Sequence, residues 1–317
     1  MQRKAGLPTL LLTGSSGQIG FELVRSLACL GKLVVLDRSS CDLRDEGQIR
    51  KTVRQYRPDV IVNAAAYTDV NRAPLERTEA FVVNAAAPAI LADEVRALGG
   101  LLVHYSTDYV FDGKLERPYV ESDAATPLSE YGRSKLAGEQ AIAASGASAL
   151  ILRASWVAGV HGRNFVKAIL RQASEKPRLH VVADQQGAPT SAALVADVTA
   201  QVVARYWLHG NRETFKGGVY HLAAAGATTW HGYAVEILSI ARRYGVNLAA
   251  GPDDVVAVSS QEYPLAACRP ANSMMDTTRL RQAFGLYLPD WRVGIDHLLR
   301  QLLACGIPPA VANTGVA

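Results

Sequence analysis

The sequence predicts an α/β fold, with a doubly wound parallel sheet of the Rossmann type and a smaller C-terminal lobe. Three observations support this prediction. Short apolar runs alternate with longer helical patterns through the first half of the chain, a glycine-rich turn follows the first apolar run, and the alternation loosens beyond about residue 154. Because alternating strands and helices build a parallel sheet covered on both faces, the first half is expected to form that sheet.

Five apolar runs in the first half are predicted strands, since short runs rich in Leu, Val and Ile are typical of buried parallel strands. They cover residues 10–13, 33–36, 60–62, 101–105 and 149–152. The segments between them carry apolar residues at helical spacing, as Ile19, Leu23, Leu27 and Leu30 illustrate. The predicted helices cover residues 19–30, 45–56, 76–84, 89–98 and 128–145.

The second half of the chain is predicted to be a smaller lobe. Single apolar runs at residues 179–182, 219–222 and 255–258 interrupt helical patterns at residues 165–173, 194–208, 230–244 and 291–303. Loops rich in Gly and Pro separate these elements, and one or two of the apolar runs are expected to return to the main sheet. Residues 308–317 hold small and helix-breaking residues, so a loose tail is expected there.

Composition and charge argue against several classes of protein. The net charge is +4, but the basic residues are scattered and no run of them exceeds a pair such as Arg242 and Arg243, so no nucleic-acid partner is expected. No apolar stretch approaches the roughly 20 residues of a membrane-spanning helix, so no membrane partner is expected. The four cysteines have no paired spacing and no accompanying histidine cluster. This argues against a disulfide framework or a zinc site and favours a cytoplasmic location.

Gly14, Gly17 and Gly20 follow the first predicted strand and open the first predicted helix. Glycines at this G-x-x-G-x-x-G spacing permit a tight turn, let the backbone approach a pyrophosphate and let the helix pack on the strand. The free N–H groups at the start of the helix then face the phosphates. Residues 1–153 are therefore predicted to form a dinucleotide-binding domain. The predicted cofactor contacts in the turn are Gly14, Ser16, Gly17, Gln18 and Ile19.

Asp37 and Arg38 follow the second predicted strand and favour different cofactors. The Asp37 carboxylate would accept hydrogen bonds from the adenosine ribose of NADH, whereas the Arg38 guanidinium could pair with the 2′-phosphate of NADPH. Arg38 could equally be a solvated surface cation. The predicted cofactor is NADPH, with NADH as a second possibility. Further predicted contacts line the adenine pocket or offer small side chains beside the cofactor: Asp42, Leu43, Ala64, Ala65 and Ala66.

Tyr131 and Lys135 lie four residues apart on one predicted helix, so they share a face with Cβ atoms roughly 5–6 Å apart. A nearby ammonium stabilises a tyrosinate and lowers a phenol pKa that starts at about 10. Tyr131 then becomes a usable proton donor to a carbonyl oxygen that receives a hydride, and Lys135 can also hold the nicotinamide ribose. Thr107 follows the fourth predicted strand, where its hydroxyl can bind the same oxygen. Thr107, Tyr131 and Lys135 are therefore the predicted catalytic residues.

With these motifs the sequence resembles the extended short-chain dehydrogenase/reductase family, from the first predicted strand to about Leu303. The resemblance implies reduction of a nucleotide-activated sugar, dTDP-4-dehydro-L-rhamnose, at C4 to give dTDP-L-rhamnose, the last step of its synthesis. It implies that the nicotinamide gives the hydride, that Tyr131 gives the proton and that Thr107 orients the ketone. Residues 154–307 would then be mainly a substrate-binding lobe. The motifs that carry the resemblance lie at residues 17–20, 62–68, 105–111, 131–139, 153–157, 184–190 and 269–273.

The resemblance also implies a set of contacts to the nucleotide sugar. Thr68, Val70, Tyr109 and Trp156 would touch the sugar, although Trp156 could instead be a core aromatic. Arg269 could pair with the diphosphate or simply lie at the rim between the lobes. The implied substrate contacts are Thr68, Val70, Thr107, Asp108, Tyr109, Trp156, Asn164, Gln185 and Arg269.

One departure from the family concerns a metal. The resemblance to some members of the family implies a dimer in which three glutamates bind a bridging Mg²⁺ ion. Glu22 matches the first of these, but Ala193 and Arg292 stand where the other two are expected. A neutral and a cationic side chain cannot replace carboxylate ligands of a hard cation. We therefore expect no metal and no metal-bridged dimer, and predict a monomer or a weak homodimer.

Two alternative functions remain open from the sequence. A nucleotide-sugar epimerase of the same family would retain its cofactor without net redox change. A non-catalytic NADP-binding regulatory subunit would share the fold, but the intact set of Thr107, Tyr131 and Lys135 argues against it. A dehydratase would place an Asp-Glu pair after the threonine, and Asp108 is instead followed by Tyr109, which favours plain reduction.

Overall fold

The computed structural model describes residues 6–262 and 268–306, and strands alternate with helices through its first half. The predicted tail at residues 308–317 lies outside these residues. In chain order the elements are β1 Thr9–Thr13, α1 Gln18–Leu27, β2 Lys32–Leu36, α2 Glu46–Tyr56, β3 Val60–Asn63, α3 Arg77–Phe81, α4 Ala87–Leu98, β4 Leu101–Thr107, α5 Glu130–Ser145, β5 Ala149–Ala154, β6 Val157–Ala158, α6 Phe165–Glu175, β7 Leu179–Val182, β8 Gln186–Gly187, β9 Thr190–Ser191, α7 Ala192–Val202, β10 Gly218–Leu222, β11 Thr228–Thr229, α8 Trp230–Arg243, β12 Val255–Val258, α9 Thr278–Phe284 and α10 Trp291–Ala304.

The main sheet has the strand order β10-β5-β4-β3-β1-β2, with every pair parallel. All residues of β3, β4 and β5 are buried, because helices cover both faces of these central strands. Successive side chains alternate between the two faces: Leu10 and Leu12 join one core, while Leu11 joins the other. The predicted Rossmann-type fold is confirmed.

Strand β10, helix α7 and helix α9 from the second half complete this sheet and its cover. Strand β10 pairs with β5, so the sheet extends by one strand beyond those of the first half. Helix α7 packs against α1, and Leu23 and Leu27 of α1 share a core with Val195 and Val202 of α7. The remaining helices α6, α8 and α10 enclose a separate core. The second half of the chain therefore contributes to both cores.

Three details of the helices differ from the prediction. The predicted helices at 76–84 and 89–98 form one helical run, in which a π-helical segment Val82–Ala86 joins α3 to α4. Pro88 lies at the start of α4, where its missing N–H is tolerated. Helix α1 ends at Leu27, before Leu30, and α9 was not predicted. Within the described ranges no helix is long and apolar enough to cross a membrane.

A buried ion pair fixes helix α5 to the sheet. The Arg153 guanidinium on β5 donates from Nε and Nη2 to the two oxygens of Glu139 on α5, at 2.9 and 2.6 Å. The two side chains are only 5% and 4% exposed, and the guanidinium lies 5.0 Å from the centre of the Phe111 ring. Such a two-point contact sets both the height and the rotation of α5 over the strand.

We expect Glu139→Gln to lower the free energy of unfolding by about 3–5 kcal/mol, because it leaves the Arg153 charge buried without a counter-charge. Urea denaturation followed by circular dichroism measures this. The matched control is Glu46→Gln, which removes one carboxylate from the exposed Arg50–Glu46 pair and should cost less than about 1 kcal/mol. Equal small losses in both variants would show that the buried pair does not anchor α5.

Candidate active site

A cavity of about 880 Å³ opens at the carboxyl ends of β1, β3, β4 and β5. This is the edge at which open α/β sheets bind ligands. It runs from the glycine turn past the start of α5 to the aromatic side chains of the second lobe. The cavity wall includes all the predicted catalytic and cofactor-contacting residues: Gly14, Ser16, Gly17, Gln18, Ile19, Asp37, Arg38, Asp42, Leu43, Ala64, Ala65, Ala66, Thr107, Tyr131 and Lys135.

The glycine turn brings the backbone of β1, α1 and β3 into close contact. Gly14 has φ +74°, and a Cβ atom there would lie 2.4 Å from the Ala65 nitrogen. A Cβ atom on Gly20 would lie 2.0 Å from the Gly14 oxygen. Helix α1 starts after Gly17 without a capping side chain, so its first N–H groups are left for an anion in the cavity. The turn therefore has the shape and the free donors that a pyrophosphate requires.

Charged side chains surround the far end of the cavity. Hydrogen bonds from Ser39 and then Ser40 lower the pKa of Asp37 to about 2, so this carboxylate stays charged. The Arg38 guanidinium is 68% exposed and lies 3.7 Å from the Glu79 carboxylate. Neither group is buried in a fixed ion pair, so both remain free to meet a ligand at this rim.

Tyr131 lies in the first turn of α5, which the Ser129 hydroxyl caps by accepting from the Gly132 N–H at 3.1 Å. Burial raises the pKa of Tyr131 to about 12, and the interaction with the Thr107 hydroxyl acts in the opposite direction. The prediction that Lys135 would lower this pKa below its ordinary value is wrong for the protein without ligands. The phenol is therefore fully protonated at neutral pH.

Lys135 does not offset this effect of burial, because its ammonium group turns toward strand β4. The Nζ atom donates to the Tyr105 carbonyl oxygen at 2.5 Å and lies 3.4 Å from His104 Nε2. The side chain is almost completely buried. Burial lowers the pKa of Lys135 to about 8, against the opposing effect of the Glu139 carboxylate. The group thus titrates near neutral pH.

Thr107 ends strand β4 beside Tyr131, and Asp108 holds its hydroxyl. The Thr107 hydroxyl donates to Asp108 Oδ1 at 2.9 Å and accepts the Tyr109 N–H at 3.2 Å. The Ser155 hydroxyl donates to Asp108 Oδ2 at 3.0 Å. Burial nevertheless raises the pKa of Asp108 to about 6. The proton of Thr107 thus points at Asp108, which the sequence did not indicate.

Aromatic side chains of the second lobe form the opposite wall of the cavity. Trp156 stacks on Trp230 with ring centroids 3.5 Å apart, and Phe165 and Tyr233 extend the group. Trp156 has φ +44°, an unfavourable conformation for a bulky residue, and functional sites often hold such strain. Of the implied substrate contacts, those in the cavity wall are Thr68, Val70, Thr107, Asp108, Tyr109, Trp156, Asn164 and Arg269.

Three residues that were predicted to contact a ligand, Gln18, Asn164 and Gln185, form hydrogen bonds within the protein. Gln18 Oε1 accepts from the Gly159 N–H at 3.0 Å and from Asn164 Nδ2 at 2.9 Å, which ties the glycine turn to the second lobe. Asn164 also caps α6. Gln185 does not line the cavity, because its amide donates to the Ser260 hydroxyl at 2.9 Å outside the wall. Its predicted contact with substrate has no support from this placement.

Sequence reasoning missed Asn84, which lies in the π-helical segment and is fully buried. Its side chain exchanges hydrogen bonds with the Tyr67 backbone at 2.9 Å and donates to the Ser134 hydroxyl at 2.9 Å. Asn84 thereby joins the loop after β3 to helix α5. An asparagine among apolar residues of a helix was the available signal, because a buried amide needs partners.

In residues 6–262 and 268–306, no group of three or more acidic, cysteine or histidine side chains is placed to hold a metal ion. Glu22, the one match to the family's bridging glutamates, lies 3.6 Å from the Arg25 guanidinium.

Comparison with known proteins identifies the family. The family model described as RmlD substrate binding domain matches residues 8–304. The dTDP-4-dehydrorhamnose reductase of Burkholderia thailandensis is 43% identical over 295 residues, which are 93% of this chain and 99% of the relative. That of Shigella flexneri is 45% identical over 298 residues, covering 92% and 97% of the two chains.

A solved structure agrees with these sequence relatives. The crystal structure of the dTDP-4-dehydrorhamnose reductase of Bacillus anthracis, in complex with NADP, matches with a TM-score of 0.84 and 32% identity. The match covers 93% of this chain and 99% of the other. The resemblance drawn from the sequence motifs is confirmed. The chain therefore belongs to the RmlD family, that of the dTDP-4-dehydrorhamnose reductases.

Proposed function

We propose that this protein reduces the C4 ketone of dTDP-4-dehydro-L-rhamnose with NADPH and so forms dTDP-L-rhamnose. The observation that carries the proposal is the single cavity in which the glycine turn, the start of α5 and the aromatic wall meet. Relatives that align over nearly the whole chain carry the name of this reductase. The Bacillus anthracis relative binds NADP in its crystal structure.

The cavity fits a nicotinamide dinucleotide at its glycine end. The uncapped start of α1 would hold the pyrophosphate, and the small side chains of Ala64, Ala65 and Ala66 would leave room for the rings. Asp37 and Arg38 would meet the adenosine ribose, with Asp42 and Leu43 beside the adenine. Lys135 would hold the nicotinamide ribose next to Tyr131. NADPH, when bound there, supplies the hydride that reduces C4.

Tyr131 acts as the proton donor in this proposal. Its raised pKa, about 12, keeps the phenol protonated at neutral pH, so the acid is present before the reaction begins. The oxygen of an alkoxide is a stronger base than a phenolate, so transfer of the phenol proton to it is favourable. The Lys135 ammonium then stabilises the tyrosinate that remains.

Thr107 and Asp108 orient the ketone in this proposal. The Thr107 proton points at Asp108, and rotation about one bond can redirect it to the ketone oxygen beside Tyr131. Burial raises the pKa of Asp108 to about 6, so the charge that strengthens its hydrogen bond with Thr107 is lost as the pH falls through that value. Two donors then converge on the oxygen where negative charge develops.

The other side of the cavity would hold the nucleotide sugar. Thr68, Val70, Tyr109 and Trp156 would contact the deoxysugar, and the Arg269 guanidinium would face the diphosphate. The Arg269 Nε atom is buried and has no hydrogen-bond partner among the described residues, which fits a cation that awaits an anion. Asn164 would act mainly by shaping the wall, and the contact predicted for Gln185 would require movement of its loop.

We also propose that the enzyme works in the cytoplasm as a monomer or a weak homodimer without a bridging metal. Ala193 and Arg292, at the positions of two bridging glutamates, support this part of the proposal.

The direct test of the function is the oxidation of NADPH, followed at its near-ultraviolet absorbance, with dTDP-4-dehydro-L-rhamnose as substrate. We expect one NADPH to be oxidised for each ketone reduced, with dTDP-L-rhamnose as the product by mass spectrometry and NMR. Protein that binds NADPH yet oxidises none of it would contradict the proposal. Interconversion of nucleotide sugars without net oxidation would indicate an epimerase, and absence of any turnover a regulatory subunit.

We expect Tyr131→Phe to lower kcat by about 10² or more, because it removes the proton donor, while the dissociation constant of NADPH stays nearly unchanged. Steady-state kinetics and a fluorescence titration with NADPH measure the two quantities. Tyr244→Phe is the matched control, since it removes a phenol that bonds to Asp296 at the surface. A Tyr131→Phe variant that turns over at the wild-type rate would refute the assignment.

We expect Arg38→Ala to lower kcat/KM for NADPH about tenfold and to leave that for NADH nearly unchanged, because only NADPH carries the 2′-phosphate. Asp37→Ala should lower kcat/KM for NADH and raise it for NADPH, since it removes a negative charge from the same rim. Lys51→Ala on α2 controls for the loss of an exposed cation. Equal losses with both cofactors in Arg38→Ala would contradict this division of roles.

A further inference from the structure

A buried row of polar side chains lies beneath Lys135 and crosses three strands of the sheet. The Thr13 hydroxyl on β1 donates to Asn63 Oδ1 on β3 at 2.7 Å. The Asn63 amide nitrogen lies 3.1 Å from His104 Nδ1 on β4, and His104 Nε2 lies 3.4 Å from Lys135 Nζ. All four side chains are at least 98% buried. No other part of the proposed reaction uses Thr13, Asn63 or His104.

We propose that His104, held in place by Asn63 and Thr13, is a positioning residue that keeps the Lys135 ammonium charged and directed at the strand edge. This inference rests on the proposed function only where it assigns Lys135 a role in catalysis. The contacts themselves belong to the protein without substrate.

The argument begins with the neutral state of His104. Complete burial, and then the positive charge of Lys135, lower the pKa of His104 well below its ordinary value. A neutral imidazole has one nitrogen that donates and one that accepts. The ammonium of Lys135 can only donate, so it requires a lone pair on His104 Nε2. The His104 proton must then lie on Nδ1. Since the structure has Asn63 Nδ2 at that position, a charged Lys135 requires the Asn63 amide to turn over and present its oxygen.

Hydrogen bonds along this row can run in either direction, because the Asn63 side chain has an NH₂ group that donates and an oxygen that accepts. In the structure the amide oxygen faces Thr13, so the Asn63 NH₂ group donates to His104 Nδ1 and the proton of the neutral imidazole lies on Nε2, which suits a neutral Lys135 amine. A half-turn of the amide reverses each donor, and His104 then accepts from a charged Lys135. The hydroxyl of Thr13 can donate or accept and so completes both arrangements.

The other groups that face Lys135 do not replace His104. The Tyr105 carbonyl on β4 takes one of its protons. Glu139 is on the same helix, but Arg153 occupies both of its oxygens. Tyr131, also on α5, is a neutral phenol, and Asp108 on the turn after β4 already holds Thr107 and Ser155. Among the described residues, His104 Nε2 is thus the side-chain atom within hydrogen-bond distance of Lys135 Nζ that can accept from it, once the Asn63 amide has turned over.

The direction of the effect follows from these contacts. Lys135 loses its proton as the pH rises through its pKa, about 8. An acceptor stabilises the charged form more than the neutral form, so removal of the His104 lone pair should lower that pKa further. The charged fraction at neutral pH then falls, and with it the ability to hold a ribose hydroxyl and to stabilise a tyrosinate.

The experiment is a titration of Lys135 by NMR in protein labelled at the lysine ε-carbon, with neither cofactor nor substrate present. The signal is assigned by its loss in Lys135→Arg. In His104→Leu, which removes the acceptor, we expect the midpoint to fall by about one to two pH units. His104→Gln can place an amide oxygen near the position of Nε2 and should restore a midpoint close to that of wild type.

Kinetics supply a second readout. In His104→Leu the fall of kcat at high pH should move to lower pH by the same interval, and His104→Gln should return it. Thr13→Val, which removes one hydroxyl at the far end of the row, should shift both profiles in the same direction by less. Thr199→Val is the matched control, because that buried hydroxyl bonds to the Tyr105 phenol on the opposite face of the sheet, and it should shift neither profile.

The outcomes separate this inference from the proposed function. An unchanged Lys135 midpoint in His104→Leu overturns the inference even if the ketone is reduced normally. A lowered midpoint supports it even if no nucleotide sugar is turned over, in which case only the proposed function fails. If His104→Leu does not fold, Thr13→Val decides the matter: a lowered midpoint supports the inference, and a wild-type midpoint contradicts it.

Discussion

The close approach of helix α5 to the carboxyl edge of the sheet is the constraint on which the site depends. A Cβ atom on Gly132 would lie 2.2 Å from the backbone carbonyl oxygen of Tyr109, and one on Gly138 would lie 2.1 Å from the backbone carbonyl oxygen of Asn84. Gly132 directly follows Tyr131, and Gly138 lies three residues after Lys135. The Arg153–Glu139 ion pair then fixes the helix against β5. The missing side chains of the two glycines therefore permit the close approach, and the ion pair fixes the position of the helix.

This approach sets the electrostatics of the site, because it removes three ionisable groups from water together. Burial raises the pKa of Tyr131 to about 12 and that of Asp108 to about 6, while it lowers the pKa of Lys135 to about 8. At neutral pH the Tyr131 phenol is therefore protonated, and the pKa values of the Asp108 carboxyl and the Lys135 ammonium each lie about one unit from the pH. An arrangement of this kind holds its dipoles and charges before the substrate arrives, which is the usual source of transition-state stabilisation.

The sequence was sufficient for whatever depends on local spacing. The glycine turn, the i,i+4 relation of Tyr131 and Lys135, and the strands of the parallel sheet all follow from patterns a few residues long, and the structure has them. Partners brought together across the sheet were out of reach. His104 lies opposite Asn63 only because β3 and β4 pair in one register. For the same reason the spacing of the two residues predicted a direct effect of Lys135 on Tyr131, whereas in the structure a carbonyl and an imidazole on β4 hold Lys135.

The division of the chain into two lobes shows the same limit from another side. Strand β10 and helix α7 come from the second half but complete the sheet and its cover, and the Gln18 side chain bonds to Gly159 and Asn164 across the cavity. The aromatic wall is therefore tied to the glycine turn at one end and to the sheet at the other. The strained backbone of Trp156 is held by the stack of its ring on Trp230 and by the surrounding core. Gly187 leaves room for the indole, since a Cβ atom there would lie 2.4 Å from it. The wall is therefore largely formed before a ligand binds. Recognition of the sugar then depends on a surface that the fold has already shaped, and catalysis on a helix that the same fold has already brought to it.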